Sequence, residues 1–333
     1  MNDFWLKWRR EIVRGGVLFA AVVAVGLWAT NLVRGGRARV MSELKNTLGA
    51  LSVDFDAPGR THGDTWQWRG TLSSTQTIRI RNMNGPIAVE RTAGNHAEVF
   101  AEKSWEHSAP QSVRLVALPG ASGVTICALW GDQASCDPEG RYEGLGGGGR
   151  RNDVAVRFKV LVPKGVAADV TTMNGSLQIT GVSGALNAST LNGGIQAEVA
   201  GGPVTVKTVN GAIEATLGAL APGGARIETV NGAVTVRLPE HVNATLDAGS
   251  VVGRVLADLP LQLTGTMDPK HVRGSLGTGG PTVHVSTVNG EIRLLQMGSG
   301  MPVPPPATHR KHGRMPPRPP PPPAAASQAQ PPR

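Results

Sequence analysis

The sequence predicts an all-β body built as a solenoid-like array of short strands with Asn-Gly turns, preceded by one N-terminal transmembrane or signal helix. Three observations carry the β prediction. A phrase ending in Asn-Gly returns at a nearly fixed interval, the residues between its copies alternate in polarity, and the repeated region has no aromatic side chain.

The phrase reads Thr172-Met173-Asn174-Gly175, Thr190-Leu191-Asn192-Gly193, Thr208-Val209-Asn210-Gly211 and Thr229-Val230-Asn231-Gly232, with its Asn positions 18, 18 and 21 residues apart. Self-similarity at that interval marks an array whose units bury their apolar faces by stacking on one another. It recurs at Thr287-Val288-Asn289-Gly290 and Met83-Asn84-Gly85, and in degraded form at Ser250-Val251-Val252-Gly253.

Between the phrases, Ser176 to Thr180, Pro203 to Lys207 and Ala212 to Thr216 alternate apolar and polar residues. Period two is the signal of a strand with one buried and one wet face. The inward set is Leu177, Ile179, Leu186, Ala188, Ile195, Ala197, Val204, Val206, Ile213, Ala215, Val234 and Val236. A second Gly-containing break falls midway between phrases, at Gly181 to Gly184, Gly201-Gly202 and Gly218, so each unit holds two strands of about five or six residues. Asn-Gly is also the strongest short hairpin signal, since both residues accept positive φ, and an antiparallel meander therefore competes. The return of the whole phrase, Thr included, favours equivalent corners stacked about 4.8 Å apart, where the Asn side chains could form an amide ladder. On this reading Asn84, Asn174, Asn192, Asn210, Asn231 and Asn289, each followed by glycine (Gly85, Gly175, Gly193, Gly211, Gly232 and Gly290), are turn formers. All Trp, Phe and Tyr residues lie at or before Phe158, which suits a narrow aliphatic core in the repeats.

The chain organises into an anchor or signal segment (1–40), a linker (41–69), the repeat domain (70–297) and a Pro-rich basic tail (298–333). Lys7, Arg9, Arg10 and Arg14 precede an apolar run from Val17 to Val33. Its length, about 25 Å as a helix, is at the short end of what spans a bilayer. An uncleaved anchor, a cleaved signal and a buried helix all remain open; the first two place the body outside the cytoplasm. The segment after it, with Gly35-Gly36 and Pro58-Gly59, reads as a stalk, and strand alternation starts at Thr77.

Cys127 and Cys136, the two cysteines, flank a turn-rich segment. In an exported chain this suggests a disulfide closing a small loop, and the spacing is not that of a redox or zinc motif. The run Gly144 to Arg151 lacks the Gly-Lys-Ser/Thr ending of a phosphate loop and reads as a loop between strands. In the tail, Met301 to Pro306 and Pro319 to Pro323 cannot pack a core. His309 and His312 offer only two metal ligands, so a solvated basic run is the better reading, and no cofactor is expected.

The net charge of +9 divides into about +5 in residues 1–45, +5 in 310–333 and −1 in the body between. The body therefore has no electrostatic footprint for nucleic acid. The basic ends fit a membrane-flanking segment and a tail that could touch anionic lipid or cell-wall polymer.

The Asn-Gly repeats, the opening Ile80-Arg81-Asn82-Met83-Asn84-Gly85-Pro86-Ile87-Ala88-Val89 and the closing Thr287-Val288-Asn289-Gly290-Glu291-Ile292 resemble the bacterial LiaG-like family of putative adhesins, a β-strand repeat domain of unknown function. The resemblance covers residues 70–296, with departures at the Gly253 to Asn289 gap and the Cys127 to Cys136 insertion. It implies an envelope-located, solenoid-like domain and supplies no catalytic residues. The expectation is a non-enzymatic interaction module at the cell membrane, with an envelope protein or glycan as partner. Two other classes stand beside it: a polysaccharide-acting β-helix enzyme, for which Glu198, Glu214, Glu228 and Asp247 are thinly spread, and a polymerising scaffold resembling bactofilins, whose cytoplasmic body would not suit a disulfide.

Overall fold

Strict alternation in the repeats produces the strands. Leu177–Val182, Ile195–Val199, Ile213–Leu217 and Val234–Leu238 each bury every second residue for most of their length. The computed structural model describes residues 54–143, 152–263 and 268–297. The N-terminal segment, the Gly-rich run from Gly144 to Arg151 and the Pro-rich tail with His309 and His312 lie outside the described residues. Among the described residues the protein is all-β apart from one 3-10 turn, Pro110–Ser112. No helix there is long and apolar enough to cross a membrane.

The strands form a 10-stranded sheet and an 11-stranded sheet, with a separate 2-stranded hairpin. Each coil contributes one strand to the larger sheet, turns at its Asn-Gly corner, and contributes the next strand to the smaller one. Ala167–Asn174, Leu186–Asn192, Val204–Asn210 and Ala225–Asn231 pair in parallel register in the larger sheet, Asn opposite Asn. The second strands of the same coils pair in parallel as well, Leu177 opposite Ile195, Ile195 opposite Ile213 and Ile213 opposite Val234. A hairpin meander would have made these pairs antiparallel, so the stacked-corner reading is the correct one.

Register puts like residues over like. The buried rows Ile87, Leu177, Ile195, Ile213, Val234, Ile292 and Ile80, Val170, Ala188, Val206, Ile227, Val285 run through the stack from the two sheets. All twelve residues assigned inward from the alternation are buried.

Two features depart from a simple succession of coils. First, the last coil in sequence is not the last in space. Thr282–Asn289 lies between Ala225–Asn231 and Ala244–Val252, and Ile292–Gln296 lies between Val234–Leu238 and Val255–Asp258. The long gap from Gly253 to Asn289 is therefore a coil plus a cap: His271–Leu276 closes antiparallel on Ala244–Val252, and Gln262–Leu263 closes on that.

Second, the linker ends earlier than expected. Thr61–Thr71 is an edge strand, antiparallel to His96–Trp105, which itself pairs antiparallel with Ala155–Val162. Its Trp66 and Trp68 pack on the aliphatic core together with Trp105. A register shift between Gly63 and Trp66 interrupts its alternation, which is why residues 61–69 read as stalk. In the other sheet Val113–Gly120 closes antiparallel on Gly123–Trp130. Antiparallel caps of this kind give the terminal coils of an array their polar outer surface and blunt its edges.

Because Ile213 is fully buried between Ile195 and Val234, Ile213→Ala is expected to cost about 2–5 kcal/mol in urea denaturation. Thr216→Ala, on the outer face of the same strand, should change stability by less than about 0.5 kcal/mol.

Candidate functional site

The corner phrase is the most repeated chemistry in the chain, and each of its positions has a defined task. Asn side chains stack into a continuous amide ladder: Nδ2 of Asn174 donates to Oδ1 of Asn84 (2.9 Å), Asn192 to Asn174 (2.8 Å), Asn210 to Asn192 (2.8 Å), Asn231 to Asn210 (2.9 Å) and Asn289 to Asn231 (2.8 Å). One turn inward, the buried Thr hydroxyls donate to Gly carbonyls of the coil before, Thr190 to Gly175 (2.9 Å), Thr208 to Gly193 (2.9 Å), Thr229 to Gly211 (3.1 Å) and Thr287 to Gly232 (3.1 Å). In the degraded phrase Ser250 keeps this bond, to Gly290 (2.8 Å).

Glycine is required for a reason different from the one expected. Of the six corner glycines only Gly85 takes a positive φ, at 117°. At Gly193 and Gly211 a Cβ would lie 2.1 and 2.0 Å from the carbonyl oxygen of the glycine one coil back. The constraint is close backbone approach, not turn conformation.

These bonds commit the corner's repeated polar groups to the fold. The corner shows to solvent the residue between Thr and Asn, apolar at every copy and exposed at Val230, Val288 and Val251, together with the ladder residues Asn231 and Asn289.

The outer face of the larger sheet carries two charged groups built from several strands. Arg81 makes a paired contact with Asp169 (3.1 and 2.7 Å), and Asn187 donates to the same carboxylate. Further along, Asp247 accepts from Arg273 (3.0 Å) and bonds His271 (2.7 Å) and His284 (3.3 Å), while His284 also approaches Glu228 (3.9 Å). Sequence spacing separates Glu228 from Asp247 and gives no sign of the histidines' proximity. His284 reaches both carboxylates because its own coil, 282–296, inserts between the coils that carry Glu228 and Asp247.

Burial raises the Asp247 carboxyl, but the Arg273 and His271 hydrogen bonds and the His284 charge outweigh it and hold the group at about 2. Burial likewise works against ionised Glu228, and Lys207 and Arg226 overcome it and lower its value. Carboxylates held this way stay ionised at neutral pH and are matched to structural ion pairing rather than to donating a proton. Glu198 and Glu214 stand on the outer face of the smaller sheet, away from this group.

Cys127 and Cys136 are joined by a disulfide. It ties the hairpin of Ser135–Cys136 and Tyr142–Glu143 to Gly123–Trp130, where Tyr142 Oη donates to the Ala128 carbonyl (2.9 Å). Glu106, His107 and Asp153 come within metal-ligand reach of one another. Asp153 already accepts the backbone N–H groups of Glu106 (2.7 Å), His107 (3.0 Å) and Ser108 (2.7 Å), so its carboxylate caps a turn. Burial opposes its charge, and the hydrogen bonds from Ser108 and these N–H groups drive its pKa far below the ordinary range.

Two expectations follow. Gly211→Ala should lose at least about 2 kcal/mol in thermal or urea unfolding, against about 1 kcal/mol for Thr208→Val, which removes one hydroxyl donor. For Asp247, a folded value of about 2 against an ordinary 3.8 means stability that is present above pH 3.8 and is lost as pH falls toward 2. Acid titration of Asp247→Asn should therefore show a shallower loss of stability in that window than the unaltered protein.

The chain is similar to several bacterial proteins of known structure. A "putative cell adhesion protein" from Clostridium sporogenes ATCC 15579 is 13% identical, with a TM-score of 0.35 and coverage of 70% of this chain and 100% of that one. A "putative adhesin" from Bacteroides fragilis NCTC 9343 is 9% identical, with a TM-score of 0.34 and coverage of 70% and 97%. A third, from Parabacteroides merdae ATCC 43184, is 10% identical with a TM-score of 0.20, covering 70% and 96%. No curated protein matches the chain. Residues 164–295, the stretch that holds the evenly spaced Asn-Gly phrases and the closing one at Asn289, match the family Toastrack DUF4097, in agreement with a β-strand repeat domain of unknown function.

Proposed function

We propose that this protein is a non-enzymatic interaction module of the cell envelope, adhesin-like in role, held at the membrane by its N-terminal segment with the repeat body outside the cytoplasm. The Cys127–Cys136 bond carries the reading. Structural disulfides persist in oxidising compartments, and this one clamps an accessory hairpin on a body that already has a long aliphatic core. The basic N-terminal residues followed by an apolar run support export with the N-terminus retained inside. A body close to neutral, whose repeated polar groups are bonded to one another, favours a scaffold that presents a surface over one that binds nucleic acid. The partner class is an envelope protein or glycan.

The test is the location and redox state of the body. A reporter fused after Arg333 should be exported, and Cys127 and Cys136 should resist alkylation until reductant is added. A cytoplasmic reporter with freely alkylated thiols would overturn the proposal and leave the scaffold reading as the leading one.

A further inference from the structure

The N-terminal end of the two sheets is open at its mouth. There Thr61–Thr71 is the edge strand of one sheet and Val113–Gly120 the edge strand of the other. Between them lies a cleft of about 460 Å³, within the ~300–1,000 Å³ of small-ligand sites. Trp66, Val113 and Leu115 supply its apolar lining, and Asp64, Lys103, Gln111 and Arg114 its polar groups.

Lys103 is the unusual member. Its side chain is only 8% exposed, on a strand where the neighbouring inward positions are apolar. Its ammonium donates to Asp64 Oδ2 (2.6 Å) and to the Pro110 carbonyl (3.0 Å). An ammonium has three hydrogens, so one donor remains beyond these two bonds. Asp64 is itself held in a left-handed conformation, φ 46°, beside the register shift of the edge strand. It is the only such non-glycine residue among the described residues. Local strain of this kind is kept where surrounding structure fixes a side chain for a purpose.

We infer that this cleft binds a short glycan segment, an assignment that rests on the envelope-module reading above and names its ligand class and site. The ammonium hydrogen left over by these bonds and the second carboxylate oxygen of Asp64 suit a pair of neighbouring sugar hydroxyls, one donating to Asp64 and the other accepting from Lys103. The apolar C–H face of a pyranose suits the indole of Trp66, a large apolar surface with a polar edge. The Asp64–Lys103 charges cancel, so the interior makes no demand for a charged ligand. Arg114, exposed on the rim with Nη2 on the carbonyls of Asp132 (3.3 Å) and Ala134 (3.1 Å), adds one uncompensated cation that would favour an acidic substituent.

The experiment titrates the purified full chain with chitotetraose as a neutral probe and tetragalacturonate as an acidic one, by calorimetry and tryptophan fluorescence. Saturable binding with a fluorescence change is expected, stronger for the acidic probe. Arg114→Ala should weaken the acidic probe about tenfold and leave the neutral one nearly unchanged. Gln111→Ala, also on the rim, should weaken both, and Trp66→Leu, checked for folding by its unfolding transition, should abolish the fluorescence change. No binding of either probe, or binding unaffected by Gln111→Ala and Trp66→Leu, would overturn the assignment. A parallel measurement of the full chain on isolated cell envelopes separates the two levels. Envelope binding retained in the Gln111→Ala, Arg114→Ala double variant removes the cleft but keeps the module reading, whereas no envelope binding by the unaltered chain removes both.

Discussion

At Gly193 and Gly211 the carbonyl oxygen of the preceding coil occupies the space where a side chain would begin. Much else in the array depends on that approach. It lets the Asn side chains of successive corners come within hydrogen-bond distance, 2.8 to 2.9 Å along the ladder, and it puts each buried Thr hydroxyl opposite a Gly carbonyl one coil away. In-register corners then fix the register of both sheets, and a one-residue slip would turn every buried aliphatic outward. The spacing of 21 between Asn210 and Asn231 shows where the array tolerates variation. The extra residues lie between Leu217 and Ala225, on the side of the coil away from the Asn-Gly corner, and the Asn pairing continues unchanged.

Parallel pairing between adjacent coils also explains how the closing coil can sit out of order. A parallel coil can be added on either side of a neighbour that presents a matching Thr and Asn. Residues 282–296 carry the full phrase, whereas residues 244–258 carry Ser250 and Val252 in its place. The well-formed coil takes the interior position and continues the ladder from Asn231; the degraded one takes the end, where the ladder stops at Asn289 opposite Val252. That exchange brings Asp247 beside His284 and lets the cap strand add His271 and Arg273.

The legible part of the fold was the part governed by local pattern. Alternation placed the aliphatic residues of the repeats, and the recurrence of Thr together with Asn-Gly distinguished stacking from hairpins. The purpose of the glycine was not legible, because a clash between coils leaves no trace within one coil, and turn chemistry offered a sufficient reason. The edge strand at Thr61 escaped because Gly63 and the following shift break its period before Trp66 and Trp68 restore it. The cluster around Asp247 depends on the exchanged coil order, which no spacing encodes. The cleft depends on two edge strands separated in sequence by Thr77–Arg81, Ile87–Arg91 and His96–Trp105, so Asp64 and Gln111 come together only in the fold.

Repetition also limits where specific recognition can arise. Interior coils share one set of tasks, and the Thr and Asn side chains that recur in them are already bonded, so an interior coil offers a partner little that its neighbour does not. Distinct chemistry appears where the period is broken. At one end Asp247 and its histidines are built from an exchanged coil and a cap, and the carboxylate is already bonded to Arg273 and His271. At the other, antiparallel caps introduce tryptophans, an inward lysine and a strained aspartate around an open cleft. Partly unspent hydrogen-bonding capacity makes the second end the better place for a ligand, with the array between serving to hold that end rigidly.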